Sequence, residues 1–293
     1  FLKHLDVGSC PMCGCMENTL SYPYKTLFNK QIFEYLKCSS CSTVFVFPTP
    51  DKKTFKSMYK KDSYHDCDYN AEVSGTYDKS VELLGNFCQI NSSVLDYGCG
   101  IGGFLQSLRI RSFYPVGIEF DADAAKFASS NSLCDVYTIE YFFENYSDKV
   151  FDVIHFGDVI EHLPDPYISI KRILPNLRKG GILFIEGPIE ENPSIVYWAT
   201  KIYGYVKFLV KPGFVPTYPP YHLFRTGCKQ QLNFFKRFEE DLQIKYYEVY
   251  ESGWPYIECG GIKKIIAKVS FFFSGKFFGV LFGNRIKVVL IKK

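Results

Sequence analysis

From Val94 onward the chain alternates short, continuously apolar runs with stretches in which apolar residues recur every three or four positions. "VLDY" (Val94–Tyr97), "PVGIEFD" (Pro115–Asp121), "FDVIHFGD" (Phe151–Asp158) and "GGILFIEGP" (Gly180–Pro188) read as strands, and Asp135–Ile139 reads as a weaker one. Between them, Gly102–Arg109, Ala122–Ser129 and Pro166–Leu177 read as helices, the last opened by Asp165-Pro166. Apolar strands alternating with helices predict an α/β fold, a doubly wound parallel sheet of the Rossmann-like kind covered on both faces. Ligands of such a sheet bind beyond the carboxyl ends of its strands. Ahead of this region, "IFEYLKC" and "TVFVFPTP" suggest short strands. Asp51–Phe87 is helical and aromatic in pattern, and Tyr59 and Tyr64 either line a pocket or simply pack. Asn91-Ser92-Ser93 breaks that pattern before the sheet begins.

The cysteines sharpen the picture of the N-terminus. Cys10-Pro-Met-Cys13 and Cys38-Ser-Ser-Cys41 are two C-x-x-C pairs, with Cys15 as a spare nearby. Each pair points two thiolates at one place, and two such knuckles complete a tetrahedral zinc site. Four thiolates leave no open position for catalysis, so the expected zinc is structural. A redox C-x-x-C is the competing reading.

Composition bounds the rest. The chain has 293 residues, 47% hydrophobic and 22% charged, which is the balance of a globular protein. A formal charge of +3 gives no reason to expect nucleic acid as a partner. No charged-then-apolar leader opens the sequence, so the expectation is a cytoplasmic protein whose eleven cysteines are reduced or metal-bound.

"VLDYGCGIGGFL" joins a strand to a helix through Gly98, Gly100 and Gly103, a G-x-G-x-x-G turn. Glu119 ends the next strand, where either a nicotinamide or an adenosyl cofactor offers its ribose diol. Asp96 favours the second, because a carboxylate two residues before the first glycine repels a pyrophosphate and suits an ammonium and a sulfonium.

"VLDYGCGIGGFL", "VGIEFD" and "FDVIHFGDVIEHLPDP" resemble the successive motifs of class I S-adenosylmethionine-dependent methyltransferases. With the cysteine pairs, "MYKKDSY" and "PPYHLF", the chain is similar to those that carry an N-terminal zinc ribbon and are often encoded with glycan or secondary-metabolite pathways. "GNRIKVVLIKK" looks like the family's last strand. The resemblance implies a zinc ribbon over residues 1–50, a helical lid or linker over 51–90 and a seven-stranded core over 91–293, with a substrate-side insertion at about 190–225.

It also implies roles. Asp96, Gly98, Cys99 and Gly100 would cradle the methionine part of S-adenosylmethionine, and Glu119 would take the ribose hydroxyls. Phe120 or Asp121 would flank adenine, with Glu140 near its amino group, and Asp158 would lie beside the sulfonium. Glu161-His162 either shapes the site or is a helix-start carboxylate and a structural histidine. The sulfonium activates the methyl group, so the protein must align a nucleophile and remove its proton. His222 in "TYPPYHLF", assisted by Tyr221 and Tyr218, is the expected base, histidine being suited to proton transfer near neutral pH. The acceptor would be a small molecule or a glycan. A nicotinamide-dependent oxidoreductase or epimerase, and a non-catalytic binding protein on the same fold, are the alternative functions.

The tail adds one more possibility. After Glu258 there is no acidic residue but eight Lys or Arg, and Val269–Phe282 is an apolar run too short to span a bilayer. It reads as a core helix with a buried strand, or as a peripheral membrane face joined by "YWATKIYGYVKFLVK" (Tyr197–Lys211).

Overall fold

The computed structural model describes residues 8–59, 77–211, 213–277 and 279–293; Tyr64 lies outside them. At the N-terminus, β1 (Asn18–Phe28), β2 (Gln31–Cys38) and β3 (Val44–Phe47) form an antiparallel ribbon. The sequence pattern misses β1, the longest of the three. Its register slips between Leu20 and Lys25, around Pro23 and a positive-φ Tyr24, so no regular alternation marks it. Two helices follow: α1 (Lys52–Met58), capped by Asp51, and α2 (Asp78–Gly85).

The alternating region then runs β4 (Ser93–Tyr97), α3 (Gly103–Ile110), β5 (Tyr114–Glu119), α4 (Ala122–Ser132), β6 (Asp135–Thr138), α5 (Ile139–Asn145), β7 (Phe151–Gly157), α6 (Pro166–Ile173) and β8 (Leu177–Pro188). It continues through α7 (Ile195–Val210), β9 (Phe224–Arg225), α8 (Cys228–Lys236), β10 (Leu242–Tyr250) and α9 (Gly261–Phe271). A hairpin of β11 (Gly275–Phe277) and β12 (Val280–Phe282) leads to β13 (Arg285–Lys292). The main sheet has seven strands in the order β10-β13-β8-β7-β4-β5-β6. The five strands β8 to β6 are mutually parallel, while β13 lies antiparallel between β8 and β10. A dinucleotide-binding Rossmann sheet is mostly parallel, and the reversed β13, held between β8 and β10, is where this sheet departs from that pattern.

β9 belongs to the other sheet. Its two residues pair with Val44 and Phe45 of β3, making the ribbon a four-stranded sheet whose last strand comes from the core region. The hydrophobic interior is likewise shared: Cys10, Met12, Leu36 and Phe45 of the ribbon pack in one cluster with Phe224, Phe234 and the strands of the main sheet. One expectation for the tail fails here. Val269–Phe282 forms the end of α9 and the hairpin, and Val269, Phe271, Phe272, Phe273 and Val280 are exposed rather than buried in the core.

Across four adjacent strands runs a row of buried charges. Asp96 of β4 sits opposite His155 of β7, with Oδ1 2.7 Å from Nδ1. His155 Nε2 lies 3.3 Å from Glu186 of β8, and Glu186 sits opposite Lys287 of β13, 3.6 Å away. Ser80 of α2 donates to Glu186 at 2.8 Å and accepts from Lys287 at 3.0 Å. A side chain on Gly157 would strike the His155 ring at 2.5 Å, so glycine gives the imidazole its place in the row. Burial opposes charge on His155, but Asp96 and Glu186 outweigh it and raise its pKa to about 9. Burial likewise opposes charge on Glu186, yet His155 and Lys287 hold its pKa down to about 2.

The row sets a pH window for stability. The raised His155 contributes fully below its unfolded value of 6.5 and loses that contribution as pH rises toward 9. The depressed Glu186 contributes above 4.5 and loses that contribution as pH falls toward 2. We expect His155→Ala to destabilise the fold by about 3–5 kcal/mol near pH 6, since it leaves the buried Asp96 without its cationic partner and Glu186 with Lys287 alone. Denaturant titration should show this deficit shrinking by pH 9; an equal deficit at both pH values contradicts the assignment.

Candidate active site and cysteine cluster

The glycine turn after β4 is built by its own backbone. Gly98 has φ +75°, donates its N–H to Ile118 O at 2.7 Å, and has no room for a side chain: a Cβ would lie 2.7 Å from Val159. Gly100 donates to Glu119 Oε2 at 2.9 Å and Phe120 N–H donates to Oε1 at 2.7 Å. The Glu119 carboxylate is therefore fixed at the end of β5, with one N–H on each oxygen and further lone pairs for a ligand. Burial pushes its pKa up, opposed by those N–H groups. Cys99 faces inward, buried with Leu105 and Ala128, so only its backbone borders the turn.

The remaining cofactor-side candidates divide. Asp96 is buried and committed to His155, so its charge is matched from within the core instead of standing open to the turn. The electrostatic argument against a pyrophosphate therefore loses its force. Asp121 accepts from the N–H groups of Asp123 and Ala124 and caps α4, which leaves Phe120 as the better wall for a planar ring. Glu140 is exposed in the first turn of α5, just past β6. Asp158, just beyond β7 with φ +53°, is held by Arg285, whose Nη2 lies 2.6 and 2.7 Å from its two oxygens.

Facing the turn is a cluster drawn from three segments. Tyr59, at the end of α1, lies 6.3 Å from Phe120 and 6.0 Å from Tyr221 between ring centroids. Its hydroxyl is 3.0 Å from His162 Nδ1, which is also 2.9 Å from Tyr221 O. Glu161 and His162 occupy the single helical turn after β7, and the Glu161 carbonyl accepts from Leu223 N–H, tying the "PPYHLF" loop over them. One ligand atom from each of Glu161, His162 and His222 lies within 4.8 Å of the others. Among the described residues, Glu161 Oε1 is buried without a hydrogen-bond partner, with His162 Nε2 4.0 Å away.

The charge states of this cluster differ from neighbour to neighbour. Burial, reinforced by Asp158, raises the Glu161 pKa to about 8. Burial and the nearby His222 press His162 down to about 3, so it is neutral at pH 7. His222 is opposite: burial opposes its charge, but Glu190, 2.9 Å from Nδ1, raises it to about 9. Glu190 resists its own burial because Arg225 and His222 hold it at about 2. The expectation of a free imidazole near neutral pH is thus corrected: His222 is an imidazolium there, and becomes a proton acceptor only in alkaline solution. Tyr221 is buried and adjoins the site through its ring and carbonyl, whereas Tyr218 lies beside Tyr35 and Arg225 on the ribbon side.

Sequence reasoning missed Glu190, Arg225 and Arg285. Glu190 stands two residues past the end of β8, a position that marks it as site-facing once the strand is placed; the two arginines carry no local signal.

At the far end of the ribbon, Cys10 Sγ lies 3.5 Å from Cys41 Sγ, and Cys13 Sγ lies 3.6 Å from Cys38 Sγ. All four sulfurs fall within 4.8 Å of one another. A tetrahedron of 2.3 Å zinc–sulfur bonds has edges of about 3.8 Å, so the spacing fits zinc. Cys15 stays outside this set, its Sγ 3.9 Å from Glu17 O.

Comparisons agree with this architecture. Residues 69–208 match the profile of a family described as "Methyltransferase domain". A ubiquinone biosynthesis O-methyltransferase of Glaesserella parasuis is 34% identical over 118 residues, 37% of this chain and 48% of that one. Another of that name, from Actinobacillus pleuropneumoniae, is 38% identical over 103 residues, 31% and 43% of the two chains. The chain thus spans about half the length of these curated relatives. A SAM-dependent methyltransferase structure from Methanosarcina mazei overlays with a TM-score of 0.50 at 16% identity, covering 72% of this chain and 96% of that one. The fold is that of the class I S-adenosylmethionine-dependent methyltransferases. Residues 69–208 are a methyltransferase domain, joined here to a four-cysteine ribbon.

The opposed histidines generate a direct test. NMR titration should find His222 charged and His162 neutral at pH 7. Glu190→Gln removes the charge that favours the imidazolium, so His222 should titrate at least about one unit lower; an unchanged His222 would show that Glu190 does not control it.

Proposed function

We propose that this chain transfers a methyl group from S-adenosylmethionine to a hydroxyl of a small-molecule or glycan acceptor. The observation that carries the reading is that Tyr59 bridges the two groups, its ring 6.3 Å from Phe120 beside the fixed Glu119 carboxylate and its hydroxyl 3.0 Å from His162 in the cluster with Glu161 and His222. Glu119 would accept both ribose hydroxyls, and Phe120 would lie along adenine. Bound there, S-adenosylmethionine supplies a methyl group already activated by its sulfonium. Oxygen as the accepting atom follows the names of the O-methyltransferase relatives.

The protein's own task is then to align the acceptor and take its proton. His222, held by Glu190, receives that proton once deprotonated, and Glu161 shares the titration, so the two act as a coupled pair. Neutral His162, anchored through Nδ1 by Tyr59 and the Tyr221 carbonyl, orients the acceptor. We further propose a structural zinc on Cys10, Cys13, Cys38 and Cys41, whose closed thiolate shell contributes to folding and not to chemistry.

Calorimetry should detect S-adenosylhomocysteine binding and no binding of NAD or NADP. Glu119→Ala should weaken the former by roughly ten- to a hundredfold, the cost of losing a charged hydrogen bond to the ribose. Radiolabelled transfer to a pool of hydroxylated acceptors should rise from pH 7 toward pH 9 and fall strongly in His222→Ala. Tight NAD binding, or His222→Ala turnover equal to wild type, defeats the respective assignment.

For the metal, purified protein should contain about one zinc per chain. Cys38→Ser should lose it and lower thermal stability while leaving S-adenosylhomocysteine affinity nearly unchanged. Metal-free protein of full stability contradicts the proposal.

A further inference from the structure

Helix α7 is unusual for a surface helix because it is apolar on nearly every side. Of its 16 residues only Val196 is buried, while Trp198, Ile202, Tyr203, Tyr205, Val206, Phe208, Leu209 and Val210 are exposed, Val210 to 72%. An ordinary surface helix turns one apolar stripe inward and polar residues outward, and α7 does not. Its first turns pack on α9 through Val196, Ala199, Ile266 and Ala267, and further along Phe208 lies 4.9 Å from Tyr24 of β1. The α9 side of this contact adds Ile262, Ile265, Val269, Phe271 and Phe272, the last 81% exposed. Isolated exposed apolar residues are common on proteins; two adjoining helices of them are an interaction surface.

The charges choose the occupant. Lys207, Lys211, Lys263, Lys264, Lys268 and Lys276 are exposed around these residues. Neither α7, α9 nor the β11–β12 hairpin contains an Asp or Glu. In a twofold dimer this patch would face its own copy, setting lysines against lysines with no carboxylate between them. An anionic bilayer surface answers both properties at once: headgroups pair with the lysines while the apolar and aromatic side chains enter the interfacial layer. Length fits as well. Sixteen helical residues measure about 24 Å, short of the roughly 30 Å hydrocarbon core, and among the described residues no helix is long and apolar enough to cross a membrane. We infer that α7 and α9 dock the protein on an anionic membrane surface, with α7 lying in the plane of the interface.

The inference is independent of methyl transfer and is tested without it. Sedimentation of the full chain with vesicles of phosphatidylglycerol and phosphatidylcholine is compared with sedimentation on pure phosphatidylcholine. Binding should require the anionic lipid and weaken at about 0.5 M salt, where charge is screened within a few ångströms. Lys207→Glu with Lys268→Glu should lower the partition at least about tenfold. Val206→Asp with Val210→Asp should abolish it. An unchanged thermal melting temperature in each variant shows that the fold is intact. Equal binding to neutral vesicles, or none to either, overturns the inference. So does a concentration-dependent dimer in ultracentrifugation that Val206→Asp with Val210→Asp dissolves, because the occupant is then a second copy.

Discussion

The row Asp96–His155–Glu186–Lys287 governs how the main sheet is put together. It places two acidic and two basic side chains in alternation across β4, β7, β8 and β13, with Ser80 of α2 closing one end. Buried charges are tolerated only in such compensated sets, and a one-residue slip of any of these strands would turn its charge to the opposite face. The row also ends where the chemistry begins. Asp96 precedes Gly98 by two residues, His155 precedes Asp158 by three, and Glu186 precedes Glu190 by four. Register set by charge in the sheet thereby fixes the loops that carry Gly98, Asp158 and Glu190.

What the sequence made legible was whatever depends on local pattern. The strands with continuous apolar runs, the glycine turn and the paired cysteines each carry their physical signature within a dozen residues. β1 escaped because a bulge at Pro23 and Tyr24 breaks its period. The roles of Asp96, Asp121 and His222 shifted for another reason: each is decided by a partner distant in sequence or by a backbone group. Asp96 meets His155, Asp121 caps its own helix, and His222 meets Glu190. No spacing rule announces a carboxylate 32 residues away. The C-terminal apolar run fits core and interface alike, because apolar composition alone cannot distinguish a buried helix from one exposed on a surface.

Within the candidate site, the same low-dielectric pocket drives neighbouring groups in opposite directions. Among the described residues the carboxylate nearest His162 is Glu161, 4.0 Å from Nε2, and burial lowers the affinity of His162 for a proton; His222, against Glu190, gains it. Rings 4.9 Å apart thus differ in charge at neutral pH. Environments that separate the titrations of adjacent groups divide the work of proton transfer between them.

The four-stranded ribbon sheet takes its last strand, Phe224–Arg225, from the region that follows His222. Thr26 of β1 donates to the carbonyls of Pro216 and Tyr218 on the other side of the same loop. The loop that carries His222 is therefore clamped at both ends by the ribbon. In modular terms the ribbon and this loop form one inheritable piece. An exchange of ribbons between related enzymes would have to carry residues 216–226 along with it to keep the loop in place.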